Sequence, residues 1–392
     1  MGQNAKIQDL TPGWKARGRV FVAGGTGLVG GALLRALVAA GCTDIVTNYH
    51  QKRPAPEVSP VPPEAWHRLD LTSQAETEAF FAKQRPRYVF LAAAKVGGIV
   101  ANDTYKADFI YENIAIAANV IHAAYRHGVV KLLNLGSSCI YPKEAPQPLR
   151  ESYLLTGPLE ATNEAYAVAK IAAIKLCRYY NEQYGTDFIS VMPTNLYGPG
   201  DNFDLFTSHV LPALIRKFHL GRCLAEGDRA ALRRDLDKRP IDGVTGDAAE
   251  ERILATLARH GVSAPGIGGP VTVTLWGTGT VYREFLHVDD LAAACLWLME
   301  KVDAKAMAAL SPDCFVNVGV GRDLTIRDLA ALVQEIVGFR GEVVFDAAQP
   351  DGTPRKLLDV SHIEALGWRP RIPLADGIAS TYAWYLGSGL EY

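Results

Sequence analysis

Residues 19–40 read RVFVAGGTGLVGGALLRALVAA. A short apolar, β-branched run, Arg19 to Ala23, meets glycines at 24, 27 and 30 and then a helix-length apolar stretch, Gly31 to Ala40. Strand, tight turn and helix in that order predict a dinucleotide-binding unit. Gly24 permits the turn, Gly27 lets the backbone approach a pyrophosphate, and Gly30 lets helix and strand pack closely, with the phosphates on the helix N-terminus. An ordinary glycine-rich βα turn is the structural alternative. Thr26 sits inside the loop as a further candidate contact.

Outward from this unit, strand-like runs alternate with helix-length amphipathic segments. The runs are DIVTNY (44–49), YVFLAAA (88–94), KLLNLG (131–136) and FISVMP (188–193), with helices expected over 108–127 and 163–184. Buried apolar strands alternating with helices argue a doubly wound parallel sheet of the Rossmann type, with chemistry at the strands' carboxyl ends. The second run ends in His50-Gln51-Lys52-Arg53, where an NAD enzyme usually carries an acid for the ribose 2′-hydroxyl. Two cations there favour NADP, because a 2′-phosphate needs positive partners, although a solvated surface pair reads the same way. Asp70 is placed to meet the adenine, and Ala93, Pro193 and Leu196 are further candidate cofactor contacts.

The chain has 392 residues, more than one ordinary core, and divides into a cofactor lobe over 1–198 and a smaller C-terminal substrate lobe over 199–392, with 283–300 expected to return to the first. Residues 221–270 are charged, with short helices expected near 226–238 and 247–260. They read as an insertion at the rim of the pocket with little apolar surface to bury, either a solvated excursion or a lid. The hydrophobic share of 48% and charged share of 21% fit a soluble globular enzyme. A net charge of −2 offers no general attraction to nucleic acid or anionic membrane. Six scattered cysteines without metal-type spacing fit a reducing compartment. The polar stretch Met1 to Lys15 has no signal-peptide core and no apolar run is long enough to span a bilayer, so a cytoplasmic protein is expected. Helices 108–127 and 163–184 carry apolar positions on more than one face, which predicts a homodimer through a four-helix bundle.

The chemistry concentrates in GSSC (136–139) and YAVAK (166–170). Tyr166 and Lys170 are four residues apart, so they share a helix face, and an ammonium near the phenol is expected to lower its pKa toward neutrality. Ser137 and Cys139 follow a strand end.

LAAAKVGGIVAN (91–102), LGSSCIYPKEAPQP (135–148), TNEAYAVAKIAAIKLCRYYNEQYG (162–185), VMPTNLYGPGDNFD (191–204), SHVLPALIRKFH (208–219), LWGTGTVYREFLHVDDLA (275–292) and VVFDAAQPDGTPRKLLDV (343–360) carry a resemblance. The chain is similar to the extended short-chain dehydrogenase/reductases, and within them to the GDP-L-fucose synthase family, over nearly everything after residue 18 except 221–270. The resemblance implies NADPH-dependent 3,5-epimerisation and 4-reduction of a GDP-4-keto-6-deoxy-D-mannose. It implies Ser137, Tyr166 and Lys170 as the reductase triad, Lys170 also holding the cofactor ribose. It further implies Cys139 and His209 as epimerisation base and acid, and Asn163, Lys217, Trp276 and Arg283 as substrate contacts. Lys217 stands where some members have arginine, and Gly25-Thr26 where many have a His-Arg pair. The alternatives are another GDP-4-keto sugar (a heptose or dideoxyhexose), reduction without epimerisation, or a non-catalytic dinucleotide sensor on the same scaffold.

Overall fold

The computed structural model describes residues 18–56, 59–263, 269–349 and 351–387. The stretch Met1 to Lys15, read above as polar, and residues 264–268 of the charged segment lie outside the described residues. Val20–Ala23 (β1), Leu28–Ala39 (α1), Ile45–Tyr49 (β2), Trp66–Arg68 (β3), Gln74–Gln84 (α2), Tyr88–Leu91 (β4), Ile99–Thr104 (α3), Lys106–Arg126 (α4), Lys131–Leu135 (β5), Glu164–Tyr184 (α5) and Phe188–Pro193 (β6) follow one another. Phe315–Val318 (β12) joins them to complete a seven-stranded sheet of order β12-β6-β5-β4-β1-β2-β3, parallel at every pairing.

Both faces are covered, which is why the strands are apolar throughout. Val20 and Val22 point to one face, toward Leu33, Leu34 and Leu37 of α1, and Phe21 and Ala23 to the other, toward Val120 and Ile121 of α4. The strand order reverses between β1 and β4, and a sheet of this kind opens its ligand crevice at that switch point.

Beyond β6 the chain forms Asn195–Tyr197 (β7), Val210–Ala225 (α6), Arg229–Lys238 (α7), Glu250–Arg259 (α8), Val262–Ser263 (β8), Thr272–Trp276 (β9), Tyr282–Arg283 (β10) and Phe285–His287 (β11). Val288–Lys301 (α9) packs on α1, with Arg35 bonded to Asp289 at 2.8 Å. Ala304–Leu310 (α10), Leu324–Thr325 (β13), Ile326–Val337 (α11), Glu342–Asp346 (β14), Arg355–Lys356 (β15), Ser361–Leu366 (α12) and Leu374–Gly387 (α13) complete the chain. Among the described residues no helix is long and apolar enough to cross a membrane.

The charged segment corrects an expectation. Its helices are α7 and α8, but they are not a loose excursion: Leu232, Leu236, Ile253, Leu257 and Val262 are buried in one apolar cluster with α6, β9, α11 and α13. Charge count hid an amphipathic pattern that fills the core of the second lobe. Asp228 caps α7 by accepting from Ala231 N at 2.9 Å. On the inner face, Asp235 accepts from Arg216 Nε at 3.1 Å and Nη2 at 3.0 Å, and from the Tyr385 hydroxyl. Arg216 is fully buried and Asp235 nearly so.

Removing one partner of such a pair leaves a buried charge unmatched. Asp235→Ala is therefore expected to cost about 3–5 kcal/mol of stability, read by chemical denaturation, and a loss below about 1 kcal/mol would show the pair to be dispensable.

Candidate active site

The glycine loop is built by steric necessity at two positions. Gly24 has φ +85°, and a Cβ there would lie 2.8 Å from the Ala93 backbone at the end of β4. A Cβ on Gly30 would lie 2.0 Å from the Gly24 carbonyl oxygen. Gly27 is exposed and its Cβ position meets only that same carbonyl, at 3.5 Å, so the loop is open on its outer side. Helix α1 starts there with no side-chain cap and no acid in its first turn, leaving backbone N–H groups and the positive dipole end for an anion.

Two polar residues of β2 hold this loop, and sequence reading missed both. Asn48 Oδ1 accepts from Gly24 N at 2.8 Å while its amide donates to Leu69 O, and Thr47 donates to Val22 O at 2.7 Å. A Cβ on Gly25 would lie 2.1 Å from Thr47 Oγ1, so a side chain there would have to displace Thr47. Buried polar groups in an otherwise apolar strand were the available signal.

The other cofactor candidates lie around this loop or at strand ends. Lys52 and Arg53 are exposed after β2, with Arg53 donating to Pro63 O at 2.6 Å. Asp70 follows β3 and accepts from Thr72 N and Oγ1, which together with His50 depresses its pKa. Pro193 ends β6, and Leu196 lies in β7, paired with Leu286 of β11.

At the carboxyl end of β5 the chain turns through a short 3₁₀ segment, Ser138–Ile140, for which Ser137 is the N-cap. The Ser137 hydroxyl accepts from Cys139 N at 3.5 Å and lies close enough to the Cys139 thiol and the Tyr166 hydroxyl to lower the pKa of both. Cys139 is buried; desolvation raises its pKa, opposed first by the Lys356 ammonium and then by Ser137 and Lys170. Lys170, one turn along α5 from Tyr166, is buried and donates to Leu135 O at 2.8 Å, its ammonium 5.6 Å from the Tyr166 ring centre. Desolvation brings the Lys170 pKa down to about 8.

The expected lowering of the phenol pKa by Lys170 is not found. Desolvation, then the Cys139 charge, raise it, and the opposing influence is the Ser137 hydrogen bond. The Tyr166 ring packs edge-on against Phe109, and the Lys170 ammonium bonds a backbone carbonyl instead of the phenol oxygen. A raised pKa keeps Tyr166 protonated, which suits a proton donor.

His209 is the N-cap of α6 and is exposed. Desolvation, followed by repulsion from Lys356, lowers its pKa. Asn163 caps α5 without a side-chain cap bond; its Oδ1 is buried with no partner, and it lines the same cleft as Cys139 and Lys356.

Two of the substrate candidates sit on or beside β9. Lys217 donates to Thr274 O at 3.1 Å, and desolvation lowers its pKa to about 8. Gly261, at the end of the charged segment, lies beside it. Trp276 is 66% exposed, available for stacking. Arg283 of β10 donates to Thr353 O at 2.6 Å. Cys139, Ser137, Tyr166 and Lys170 are thus assembled directly, and Lys356 is tied electrostatically to both Cys139 and His209.

Comparison with known proteins gives the family. The sequence profile of the NAD dependent epimerase/dehydratase family matches residues 20–236 and 243–312. The chain is 48% identical over 368 residues to GDP-L-fucose synthase 1 of Arabidopsis thaliana, covering 94% of this chain and 93% of that protein. It is 47% identical over 369 residues to GDP-L-fucose synthase of Escherichia coli K12, covering 94% and 96%. A GDP-D-glycero-L-gluco-heptose synthase from Campylobacter jejuni, solved in the presence of NADPH, superimposes with a TM-score of 0.82 at 38% identity, covering 94% and 98%. With the glycine loop, the parallel sheet and the profile in agreement over most of its length, the chain belongs to the NAD dependent epimerase/dehydratase family.

Proposed function

We propose that this chain is an NADPH-dependent epimerase/reductase that converts GDP-4-keto-6-deoxy-D-mannose to GDP-L-fucose. The observation that carries the reading is the gathering of Ser137, Cys139, Tyr166 and Lys170 at the end of β5, which puts a potential carbon base and a proton donor side by side. The relatives named above, synthases of this product at nearly half identity over almost the whole chain, supply the substrate.

The 4-keto group acidifies the hydrogens at C3 and C5, so epimerisation precedes reduction. Cys139 as thiolate takes the C3 or C5 proton: the S–H bond forms, the C–H bond breaks, and the electron pair moves onto the sugar's O4. His209 returns a proton on the opposite face; the Cys139 thiol then gives its proton to solvent and His209 takes one from solvent, which resets the pair for the second carbon. Asn163, Lys217, Trp276 and Arg283 hold the nucleotide sugar. NADPH, when bound in the glycine loop, supplies the hydride for C4. Tyr166 then gives its proton to O4, and Ser137 orients the phenol. Lys170 holds the ribose and offsets the negative charge left on Tyr166. The open α1 N-terminus and the Gly27 surface fit the pyrophosphate. A proton donor of this kind has no use in a dinucleotide sensor.

Comparing kcat/KM for GDP-4-keto-6-deoxy-D-mannose and a GDP-4-keto-heptose, with products identified by NMR, tests the assignment. The deoxy sugar is expected to win and to yield GDP-L-fucose; preferential turnover of the heptose without inversion would replace the reading by a C4 reductase like the Campylobacter relatives.

Cofactor choice rests on Lys52 and Arg53. NADPH is expected to exceed NADH in kcat/KM by roughly tenfold or more, a charge-assisted contact being worth over a kilocalorie. Replacing both residues with alanine should erase most of that margin; equal efficiencies in the parent protein would return them to solvated surface.

We further infer a cytoplasmic homodimer. All six cysteines are free, as a reducing compartment keeps them. Tyr111, Tyr179 and Tyr184 on α4 and α5 are exposed, and pairing these helices with a second copy would cover them. Light scattering at micromolar concentration should give twice the chain mass; a monomer contradicts the pairing.

A further inference from the structure

Lys356 is the one lysine of β15, and the fold goes to some length to place it. Its strand runs beside β10, with Lys356 opposite Arg283. Tyr282 N donates to Pro354 O at 2.9 Å on one side of it, and Leu357 N donates to Gln147 Oε1 at 2.9 Å on the other. Leu358 N donates to Glu284 Oε2 at 3.0 Å. Glu284, fully buried, also accepts from Val320 N and Gly321 N, tying the strand to the loop after β12.

The two side chains of the strand have different partners. Arg355 is bonded to Asp323 at 2.6 and 3.0 Å. The Lys356 ammonium has no hydrogen-bond or ion-pair partner among the described residues, and it lines the cleft with Ser138, Cys139 and Asn163. A half-buried ammonium without a counterion costs free energy unless the site supplies negative charge at work.

The groups facing it identify that charge. Cys139 comes from the end of β5, His209 from the start of α6 and Arg283 from β10, while Tyr166 and Lys170 of α5 act on Cys139; the Glu160 carboxylate also lines the cleft but is paired with Lys143 at 3.0 Å. Lys170 is the weaker influence on the thiol and already donates to Leu135 O. Arg283 is cationic too, so the charge awaited at this spot is an anion formed on the thiol or on the substrate.

We propose that Lys356 is the electrostatic partner of epimerisation, its ammonium stabilising the Cys139 thiolate before proton abstraction and the sugar O4 oxyanion after it. The inference rests on Cys139 being the base. Abstraction carries one negative charge from sulfur to O4 while Lys356 keeps its proton, so a single fixed cation serves both ends of the transfer. The same charge repels the imidazolium of His209 and makes it a readier acid.

The sign of the pH effect follows. Exchange needs one proton shared by the Cys139/His209 pair. Its rate is therefore flat between an acid limb set by His209, below the ordinary 6.5, and an alkaline limb set jointly by the Cys139 thiol, which burial raises above the ordinary 9.0, and the Lys356 ammonium, which burial lowers from the ordinary 10.5. Removing the cation raises the His209 and Cys139 pKa values, so both limbs move to higher pH.

The experiment uses the full-length protein and its Lys356→Met and Lys356→Arg variants, with Lys356→Gln should the methionine variant not fold. Two profiles are read: solvent-deuterium exchange at C3 and C5 against pH without NADPH, and the pH midpoint for iodoacetamide alkylation of Cys139, located by peptide mass. For the neutral variants, both limbs and the alkylation midpoint are expected to move upward, with the exchange plateau falling roughly 100-fold and NADPH affinity unchanged. Lys356→Arg is expected to hold the acid limb in place. A folded neutral variant with unmoved limbs and midpoint overturns the proposal, even if KM rises, since that pattern belongs to a substrate-binding lysine. Exchange that survives Cys139→Ser overturns instead the reading of Cys139 as the base.

Discussion

Cys139→Ser is expected to slow solvent exchange at C3 and C5 of GDP-4-keto-6-deoxy-D-mannose by roughly 10²–10⁴-fold, the range a positioned general base contributes. A serine hydroxyl in the same place is a far weaker base than a thiolate, and the site's cations cannot make up the difference. The substitution is nearly isosteric, and Ser137 can still bond the new hydroxyl, so the 3₁₀ turn and the glycine loop should persist. NADPH affinity, measured by fluorescence titration, is expected to stay within about twofold, because Cys139 lies outside the pyrophosphate loop. Weakened NADPH binding with normal exchange would place the thiol in the wrong half of the reaction.

Tyr166→Phe is expected to remove the other half. Loss of the phenolic proton should lower the rate of NADPH consumption by roughly 10²–10⁴-fold, while exchange at C3 and C5 continues. The ring remains packed on Phe109, so the helix is undisturbed. Exchange is not expected to be wholly silent to the change. Tyr166 and Cys139 share the Ser137 hydroxyl and feel each other's charge, so a small shift in the exchange pH profile is consistent with the account. Parallel collapse of both activities would show that one group serves both steps.

The sheet was legible because its strands are apolar on both faces, a pattern that survives any detail of packing. β1, β2, β5 and β6 lie where the periodicity puts them. The two strands that were not anticipated lack that signature or that proximity. Trp66-His67-Arg68 is short and half polar, an edge strand that needs only one neighbour, β2. Phe315–Val318 is apolar, but it enters the sheet from far along the chain, beside β6, after the excursion through α6–α8 and the return of α9 onto α1. Sequence distance does not reveal such pairing.

That Tyr166 and Lys170 share one face of α5 was legible through their spacing, and the position of Ser137 and Cys139 through their place after a strand. What spacing could not give was the sign of the Tyr166 shift. Lys170 is one turn away as expected, yet its ammonium goes to Leu135 O and burial decides the outcome. Lys356 lay unread inside a quoted stretch because nothing near it in sequence carries chemistry; its neighbours in the cleft come from β5, α6 and β10. In the charged segment, counting charges concealed Leu232, Leu236, Ile253 and Leu257, whose burial depends on the apolar face of α6 and the aromatic side of α13.

The central claim is that one cleft performs two successive reactions on one sugar. Incubating the protein with GDP-4-keto-6-deoxy-D-mannose and NADPH in D₂O, and examining the product by NMR, tests it most directly. GDP-L-fucose carrying solvent deuterium at both C3 and C5 is expected, with none at C4, where the hydrogen comes from the cofactor. A reduced sugar with protium at C3 and C5 and the starting configuration at both carbons would contradict it.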